Sequence, residues 1–278
     1  MTRLLMALLV IACALAAGVA ALNLRGEDPV TELETGRAGS PADAGGIERG
    51  RYLALAGNCA GCHSARGGAS YAGGTGIDTP FGTVYASNLT PDRETGIGNW
   101  SASEFWRAMH NGRSRDGRLL YPVFPYPNYT RITRSDSDAI YAWLRTLTPV
   151  ARPNSAHALR FPYDSQAALA VWRALFFQPG TQEPDSARDA RWNRGAYLVN
   201  GLGHCNACHA GRNFLGATSG TLDLSGGLIP MQNWYAPSLA SPREAGVAHW
   251  PEDEVVRLLA TGISSRGSVL GPMADVVF

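Results

Sequence analysis

The sequence predicts a mainly α-helical protein, in which two tandem copies of one small domain with long Gly/Pro-rich loops follow an N-terminal apolar helix. Three observations lead to this prediction. The motif Cys-x-x-Cys-His occurs twice, at 59–63 and 205–209. Beyond the motifs, identical residues recur at a constant offset of 150 positions, as in Tyr85 and Tyr235 or Trp100 and Trp250. Residues 4–22 contain no charged or amide side chain.

Length and composition limit the possible classes of protein. The 278 residues leave room for about two modest domains. Apolar residues make up 45% of the chain and charged residues 17%, which excludes a largely disordered protein. The 24 basic and 23 acidic side chains give a formal net charge of +1, so the chain has no electrostatic footprint for nucleic acid, and none is expected as a partner.

The N-terminal segment indicates export. Arg3 precedes an apolar run that is long for a signal peptide and just long enough to cross a bilayer. Residues 1–22 are therefore either a cleaved signal, with Val19-Ala20-Ala21 before the cut, or a membrane anchor, which the length favours. Both interpretations place the rest of the chain outside the cytoplasm. Residues 23–46 are polar and contain helix-breaking residues, which predicts a flexible tether.

The cysteines carry the predicted chemistry. One, Cys13, lies inside the apolar run, and the other four form the two Cys-x-x-Cys-His frames. This frame is the attachment motif for c-type haem. Its two thiols form thioethers with the two vinyl groups of the porphyrin, and the adjacent His lies under the iron as the proximal ligand. The sequence therefore predicts two covalent haem c groups. The covalent attachment points are Cys59, Cys62, Cys205 and Cys208, and the proximal iron ligands are His63 and His209.

Three other uses of these cysteines are possible. Two Cys pairs could form an all-cysteine zinc site, one pair could be a redox dithiol, and the pairs could be structural disulfides. A zinc site does not need a His directly after both pairs, and a dithiol motif does not usually occur twice. Export also favours haem c, because attachment takes place on the outer side of the membrane.

The repeated stretches define the domain boundaries. We predict a first domain at 47–148, a second at 194–278, and a Pro-rich linker at 149–193 with a short apolar helix at 167–177. This helix is expected to brace the two domains, or alternatively to dock on a partner subunit or the membrane surface. Periodicity and capping residues predict helices at 47–57, 101–110, 135–147 and 251–260, and a loop at 67–88.

The sixth iron ligand differs between the two domains. A Met from the loop on the far side of the haem raises the reduction potential, and Met273 in Gly271-Pro272-Met273 is the predicted ligand in the second domain. The corresponding first-domain loop, 121–126, contains no Met. Met109 and His110 are nearest, but they lie on the preceding predicted helix. We therefore expect the first haem to be five-coordinate or to use an unexpected ligand, with a lower potential.

The proximal His also needs an acceptor for its second ring nitrogen. Pro80 and Pro230 lie in matching places after the two motifs, and their carbonyls are candidate acceptors, the alternative being simple turn prolines. His157, His204 and His249 are not expected to bind iron, and His204 is interpreted as a surface turn residue.

Together these features resemble the multi-haem cytochrome c subunits of membrane-bound bacterial dehydrogenases for alcohols, gluconate, aldehydes or N-heterocycles. The resemblance covers about residues 47–278. Besides the haem motifs it is carried by the segments 79–85, 88–92, 96–100, 114–117, 172–177, 194–199 and 271–274. Phe124 stands where the family pattern has the first-domain Met, and members usually have three haem units.

The resemblance implies two class I cytochrome c-like domains on the periplasmic side of the bacterial inner membrane. It also implies that the chain is an electron-transfer subunit and not an enzyme. The implied partners are a catalytic dehydrogenase subunit as the electron donor, ubiquinone or a terminal oxidase as the acceptor, and the membrane through the N-terminal segment. The sequence does not indicate the substrate of that dehydrogenase. The alternative is a di-haem peroxidase with an open first haem, although no distal acid–base group is evident.

The end of the sequence carries a further expectation. In the first domain the ligand loop is followed by the predicted helix 135–147, whereas the chain stops at Phe278, five residues after Met273. We therefore expect the sequence to be truncated in its second domain, and to lack that helix and a third haem unit.

Overall fold

The structure is a computed structural model that describes residues 1–27, 44–229, 232–244 and 246–277. Helices dominate it, and the short strands form one three-stranded antiparallel sheet and two two-stranded antiparallel hairpins. In chain order the elements are α1 (Thr2–Asn23), α2 (Ala44–Ala56), α3 (Cys59–His63), β1 (Gly76–Thr79), β2 (Gly82–Tyr85), α4 (Ala102–Asn111), α5 (Tyr126–Tyr129), α6 (Arg134–Leu144), β3 (Ala158–Leu159), α7 (Gln166–Phe176), α8 (Ala190–Asn200), α9 (Asn206–His209), β4 (Gly227–Ile229), β5 (Trp234–Ala236), α10 (Glu252–Thr261), β6 (Ile263–Ser264), β7 (Gly267–Ser268) and α11 (Pro272–Val277).

The main core lies between α2, α4 and α6. Helix α2 crosses α6 closely because Gly50 has no side chain: a Cβ there would lie 1.9 Å from the carbonyl oxygen of Ala139. Helix α4 begins at the predicted capping box, in which the Ser101 side chain accepts from the Glu104 amide and the Glu104 carboxylate accepts from the Ser101 amide. The sequence prediction of this helix is confirmed.

Within the described residues, the second half repeats the order of the elements from α2 to α4. Helix α10 follows α4 by 150 positions at both of its ends, and the β4–β5 hairpin corresponds to the β1–β2 hairpin. Helix α8 corresponds to α2 but packs against the first half of the chain. Tyr197 and Leu202 belong to the same hydrophobic core as Leu53 and Ile140. The Tyr197 hydroxyl donates to the buried Asp136 carboxylate of α6, 2.8 Å away, and so joins the two halves.

Two segments that the sequence predicted to be irregular are partly ordered in the structure. Residues 67–88, predicted as loop, contain the β1–β2 hairpin, whose four-residue strands are too short and too rich in Gly to give a clear alternating pattern. The predicted tether at 23–46 is structured at both ends. Residues 23–27 bond to the first half, and α2 already begins at Ala44. The rest of the tether lies outside the described residues.

Helix α7 is the short apolar helix predicted in the linker. Its Gln166 side chain accepts from the Leu119 amide in the first half, and its Trp172 indole donates to the Leu215 carbonyl in the second half. It therefore contacts both halves, as expected of a brace. It also packs against α1, a contact that the sequence did not indicate.

Helix α1 is, within the described residues, the one helix that is long and apolar enough to cross a membrane. Its 22 residues have a best-window mean hydropathy of 2.7, and none of that window is buried in the protein. Its large apolar side chains, such as Leu4, Leu9 and Leu15, are more than half exposed.

Candidate functional site: two matched haem-attachment motifs

Each Cys-x-x-Cys-His motif forms one short helical turn. Cys59 begins α3, and Cys205 caps α9. The residue before each first cysteine, Asn58 or His204, adopts a positive φ of 46° or 34°, and this turns the chain sharply into the motif. The turn places both thiols and the following His of each motif together, as thioether attachment to one porphyrin requires.

The two motif histidines are held in the same way. His63 Nδ1 lies 2.6 Å from the Ser87 carbonyl oxygen, and His209 Nδ1 lies 2.8 Å from that of Pro237. The carbonyls can only accept, so each Nδ1 carries the proton and each Nε2 keeps its lone pair for a metal. Desolvation by burial lowers the pKa of His63 and so favours the neutral, ligating form.

These acceptors correct the sequence prediction. The carbonyls of Pro80 and Pro230 were the candidates, with simple turn prolines as the alternative. The Pro80 carbonyl accepts from the Arg160 guanidinium, and Pro230 lies outside the described residues. Ser87 and Pro237 are also 150 positions apart. The repeat therefore contained the right pair, but the hairpin that brings these carbonyls under the histidines was not predicted.

Two glycines let the chain pass close to these acceptors. Gly73 donates to the His63 carbonyl, 2.7 Å away, and Gly226 donates to the His209 carbonyl, 2.8 Å away. Both have positive φ, and a Cβ on Gly73 would lie 2.5 Å from the carbonyl carbon of Ser87. Gly therefore fixes the spacing between the motif helix and the acceptor segment.

The thiols are in surroundings that favour their neutral form. Desolvation, with the adjacent Cys62 as a smaller cause, raises the pKa of Cys59 to about 12, and desolvation also raises the pKa of Cys205. Redox dithiols need a lowered thiol pKa, so this environment does not favour that alternative. Among the described residues no three His, Cys, Asp or Glu side chains form a group that could hold a metal ion.

A large cavity opens beside the first motif. Its volume is about 2050 Å³, and Cys59, Cys62 and His63 lie in its wall. Ordinary small-molecule sites measure roughly 300–1,000 Å³, so this space accommodates a group as large as a porphyrin. The wall is mainly apolar and includes Phe105 and Leu144 of the core. The residues present therefore fit a covalently held haem at the first motif.

The first-domain loop at 121–126 presents aromatic rings to the cavity and contains no sulfur atom. Phe124 lines the cavity, and its ring packs edge-on against Tyr129 at a centroid distance of 5.3 Å. Met109 of α4 is 4% exposed; it packs in the core and also lies in the wall of the cavity. His110 lies in the last turn of α4, where its ring is buried and stacks on Trp106 at a centroid distance of 4.3 Å.

Met273 lies in the first turn of α11 and is partly buried. The preceding Gly271 has a φ of +54°, and a Cβ there would lie 2.6 Å from the Trp234 ring. Trp234 begins β5, and the chain directly after β5 provides the Pro237 carbonyl that holds His209. The turn that contains Met273 thus packs against Trp234 of β5, and the carbonyl that accepts from His209 directly follows the same strand.

The two motifs lie close together, which sequence reasoning did not predict. Gly57, two residues before Cys59, adjoins Leu202, three residues before Cys205: a Cβ on Gly57 would lie 3.3 Å from the Leu202 side chain. The buried Asn128 side chain donates to the Asn200 carbonyl and to Asn206 Oδ1 of the second motif, both at 2.8 Å. Asn128 is an isolated polar residue in the sequence, and nothing around it indicated this contact.

His204 is the second residue that sequence reasoning misjudged. It occupies a turn, as predicted, but its side chain is only partly exposed. Its ring lies edge-on to Tyr129 at 5.8 Å, and it also bonds to the Gly57 backbone beside the first motif. Desolvation lowers its pKa. The alignment with Asn58 could have shown the shared positive φ, but not the packing between the two halves.

Comparison with known proteins agrees with this geometry. Residues 47–148 match the family model for cytochrome c. A diheme cytochrome c-type protein of Cereibacter sphaeroides is 34% identical over 84% of this chain and 79% of its own length. The chain belongs to the cytochrome c family. The resemblance inferred from the sequence motifs is therefore confirmed.

Two other relatives are named as parts of dehydrogenases. The cytochrome c subunit of quinone alcohol dehydrogenase from Gluconobacter oxydans is 41% identical, over 85% of this chain and 51% of its own. A nicotinate dehydrogenase subunit from Pseudomonas putida is 49% identical, over 83% of this chain and 19% of its own. This chain thus spans about half or less of these relatives. Two of these three relatives are named as cytochromes, and the comparisons do not support the peroxidase alternative.

Proposed function

We propose that this cytochrome c carries two covalent haem groups and passes electrons singly from a periplasmic dehydrogenase subunit to the quinone pool or a terminal oxidase. The observation that carries the proposal is the duplicated geometry of the motif His residues. In both, one ring nitrogen is committed to a backbone carbonyl and the other is left for iron. Haem iron, when bound, supplies one-electron exchange, and the protein sets its potential through ligation and burial.

At the first motif, Cys59 and Cys62 hold the haem, His63 is the proximal ligand, and no thioether faces it from the 121–126 loop. Phe124 and Tyr129 present apolar ring surface there instead. A haem without the Met ligand keeps a lower potential. We therefore assign the lower potential of the pair to the first haem.

At the second motif, Cys205 and Cys208 would hold the haem, and His209 and Met273 would bind its iron. The Gly271–Trp234 contact supports this assignment, because it keeps the Met273 turn against the strand that leads to the His209 acceptor. Thioether ligation raises the potential of this haem and keeps its iron low-spin.

The close approach of the two motifs supports transfer between the haems. Asn128 ties the second motif to α5, and Tyr197 ties α8 to Asp136 of the first half. These contacts fix one motif relative to the other, so electrons can pass between two sites at a constant separation.

The apolar helix α1 supports export and a location at the periplasmic side of the inner membrane, where haem c attachment takes place. The names of the dehydrogenase relatives support a catalytic partner subunit.

Spectroelectrochemical titration of the whole haem-loaded chain tests this function. We expect two reversible one-electron steps, of which only the lower one disappears in a Cys59→Ser/Cys62→Ser variant. A matched Cys205→Ser/Cys208→Ser variant should lose only the higher step. A chain without redox-active haem, or one whose lower step survives loss of Cys59 and Cys62, would overturn the proposal.

A further inference from the structure

The segment that follows α1 is built into the protein by buried polar contacts. Asn23, the last residue of α1, is 7% exposed. Its side-chain amide donates to the Val19 carbonyl of α1 and to the Ala170 carbonyl of α7, both at 2.9 Å. Its side-chain oxygen accepts from Arg173 Nε, also at 2.9 Å.

The next residues bind the C-terminal end of α4. The Asn111 side chain donates to the Gly26 carbonyl at 2.8 Å, and Arg113 donates to the Asn23 carbonyl at 3.2 Å. Arg113 also forms an ion pair with Glu27, in which both side chains are less than a fifth exposed. Gly26 has a φ of +62° and approaches Pro179 so closely that a Cβ would lie 2.8 Å from its ring.

Arg173 of α7 connects these contacts. It is 3% exposed. Besides Asn23, it binds the Asn111 carbonyl, and its guanidinium lies over the rings of Phe177 and Tyr126, at 4.6 and 5.1 Å. A buried guanidinium is costly unless its donors are satisfied. The end of α1 provides one of those acceptors, so the packing of α7 depends on Asn23.

We infer that residues 1–27 form one rigid anchor, in which the uncleaved α1 is joined to the protein by what we call the anchor joint: Asn23, Gly26 and Glu27 with Asn111, Arg113 and Arg173. The inference rests on the proposed membrane location and adds to it a fixed geometry. The partner of α1 is the lipid bilayer. The joint holds the first haem-binding half at a constant height and angle above the membrane, where its electrons meet a membrane-embedded acceptor in one orientation.

The intact helix is part of the joint. Asn23 uses the Val19 carbonyl as an acceptor, and Val19 lies in the stretch of small residues that could serve a signal peptidase. A cut after Ala21 would remove this acceptor and the helix that orients Asn23. The joint therefore favours the anchor over the cleaved signal.

Two measurements on the full haem-loaded chain test the inference. The first is the intact mass of the membrane-extracted protein, which should include residues 1–22. The second is the distance distribution between spin labels on the exposed Cys13 of α1 and on an exposed Thr148→Cys of the first half, in lipid nanodiscs and with both haems reduced. We expect one narrow distribution.

The anchor joint is then weakened by Asn23→Ala and, separately, by Glu27→Gln. Each should broaden the label-to-label distribution several-fold and leave haem content and both potentials unchanged. The matched control is Arg51→Ala, which breaks the exposed Arg51–Glu48 pair away from the joint and should leave the distribution narrow.

The outcomes separate this inference from the proposed function. The mass of a chain whose first residue is at or near Leu22 would overturn the rigid anchor and leave the haem assignments intact. A broad distribution of label-to-label distances in the unmodified chain would do the same. A distribution of label-to-label distances that stays narrow in both Asn23→Ala and Glu27→Gln would show that these residues do not hold α1 rigidly, and would overturn the anchor joint. Absence of haem would refute the proposed function, while a narrow, joint-dependent distribution would still support the anchor.

Discussion

Asp136→Asn tests how the two halves of the chain are held together. Asp136 is 1% exposed and lies at the start of α6. Its Oδ1 accepts two hydrogen bonds from the Arg49 guanidinium of α2, and its Oδ2 accepts from the Tyr197 hydroxyl of α8 at 2.8 Å. Arg194 of α8 lies 3.7 Å from Oδ2. One carboxylate thus joins elements of the first half to the helix that leads into the second motif.

The size of the effect follows from these contacts. Hydrogen bonds to a charged group contribute about 1.5–3 kcal/mol each when buried. The Arg49 side chain is 52% exposed, so water screens this pair and its contribution is nearer ~1 kcal/mol. Asn also turns an NH₂ group toward one of the remaining donors. We expect the free energy of unfolding to fall by about 2–4 kcal/mol, and Tm by roughly 5–10 °C.

Thermal unfolding followed by circular dichroism measures this effect in the haem-loaded chain. The matched control is Asp138→Asn, two residues along the same helix, where the Arg134–Asp138 pair is about 40% exposed on both sides. The control should change the free energy of unfolding by less than about 1 kcal/mol. Equal losses of unfolding free energy in the two variants would refute this reasoning, because the burial of Asp136 and its contact with Tyr197 would then contribute nothing to stability.

Three further predictions concern ligation and pH. Phe124→Met should convert the first haem from high-spin to low-spin and raise its potential, as read in absorption spectra and titrations; an unchanged first haem would show that another residue already ligates it. Met273→Ala should lower the potential of the second haem alone, and a change confined to the first haem would contradict the assignment. Burial lowers the pKa of His204 and of His157, so the unfolded chain takes up protons near pH ~6.5 before the folded one does, and stability is lost as the pH falls from 7.5 toward 5.5. His204→Gln should make the drop of Tm over that range smaller, whereas an unchanged or steeper drop would argue against a neutral, buried His204.

The sequence predicted well what depends on local patterns. The capping residues Ser101 and Glu104 predicted the start of α4, and the apolar spacing around Trp143 predicted α6. The constant offset of the repeat anticipated the correspondence of α4 and α10. These signals arise within one or two helical turns, so neighbouring residues suffice to determine them.

The sequence failed where structure depends on distant contacts. The acceptors of His63 and His209 were misplaced because the β1–β2 hairpin, built from two four-residue strands, gives too little periodicity to be recognised. His204 was taken for a surface residue because its burial comes from Tyr129, 75 positions earlier in the chain.

The tether shows the same limit at longer range. Asn23 and Glu27 are polar and lie next to Gly26, a composition that is typical of flexible segments. Their partners Arg113 and Arg173 are some 90 and 150 positions away. Only the assembled fold shows that these polar groups satisfy one another in a buried site.

The number of haem groups covalently bound to one chain tests the central claim most directly. Intact-mass measurement of the protein, matured with the haem c attachment machinery, should show the polypeptide plus two haem groups. Cys59→Ser/Cys62→Ser and Cys205→Ser/Cys208→Ser variants should each retain one, and a chain with all four substitutions should retain none. A wild-type mass with one haem or none, or a four-fold variant that still binds haem covalently, would contradict the account.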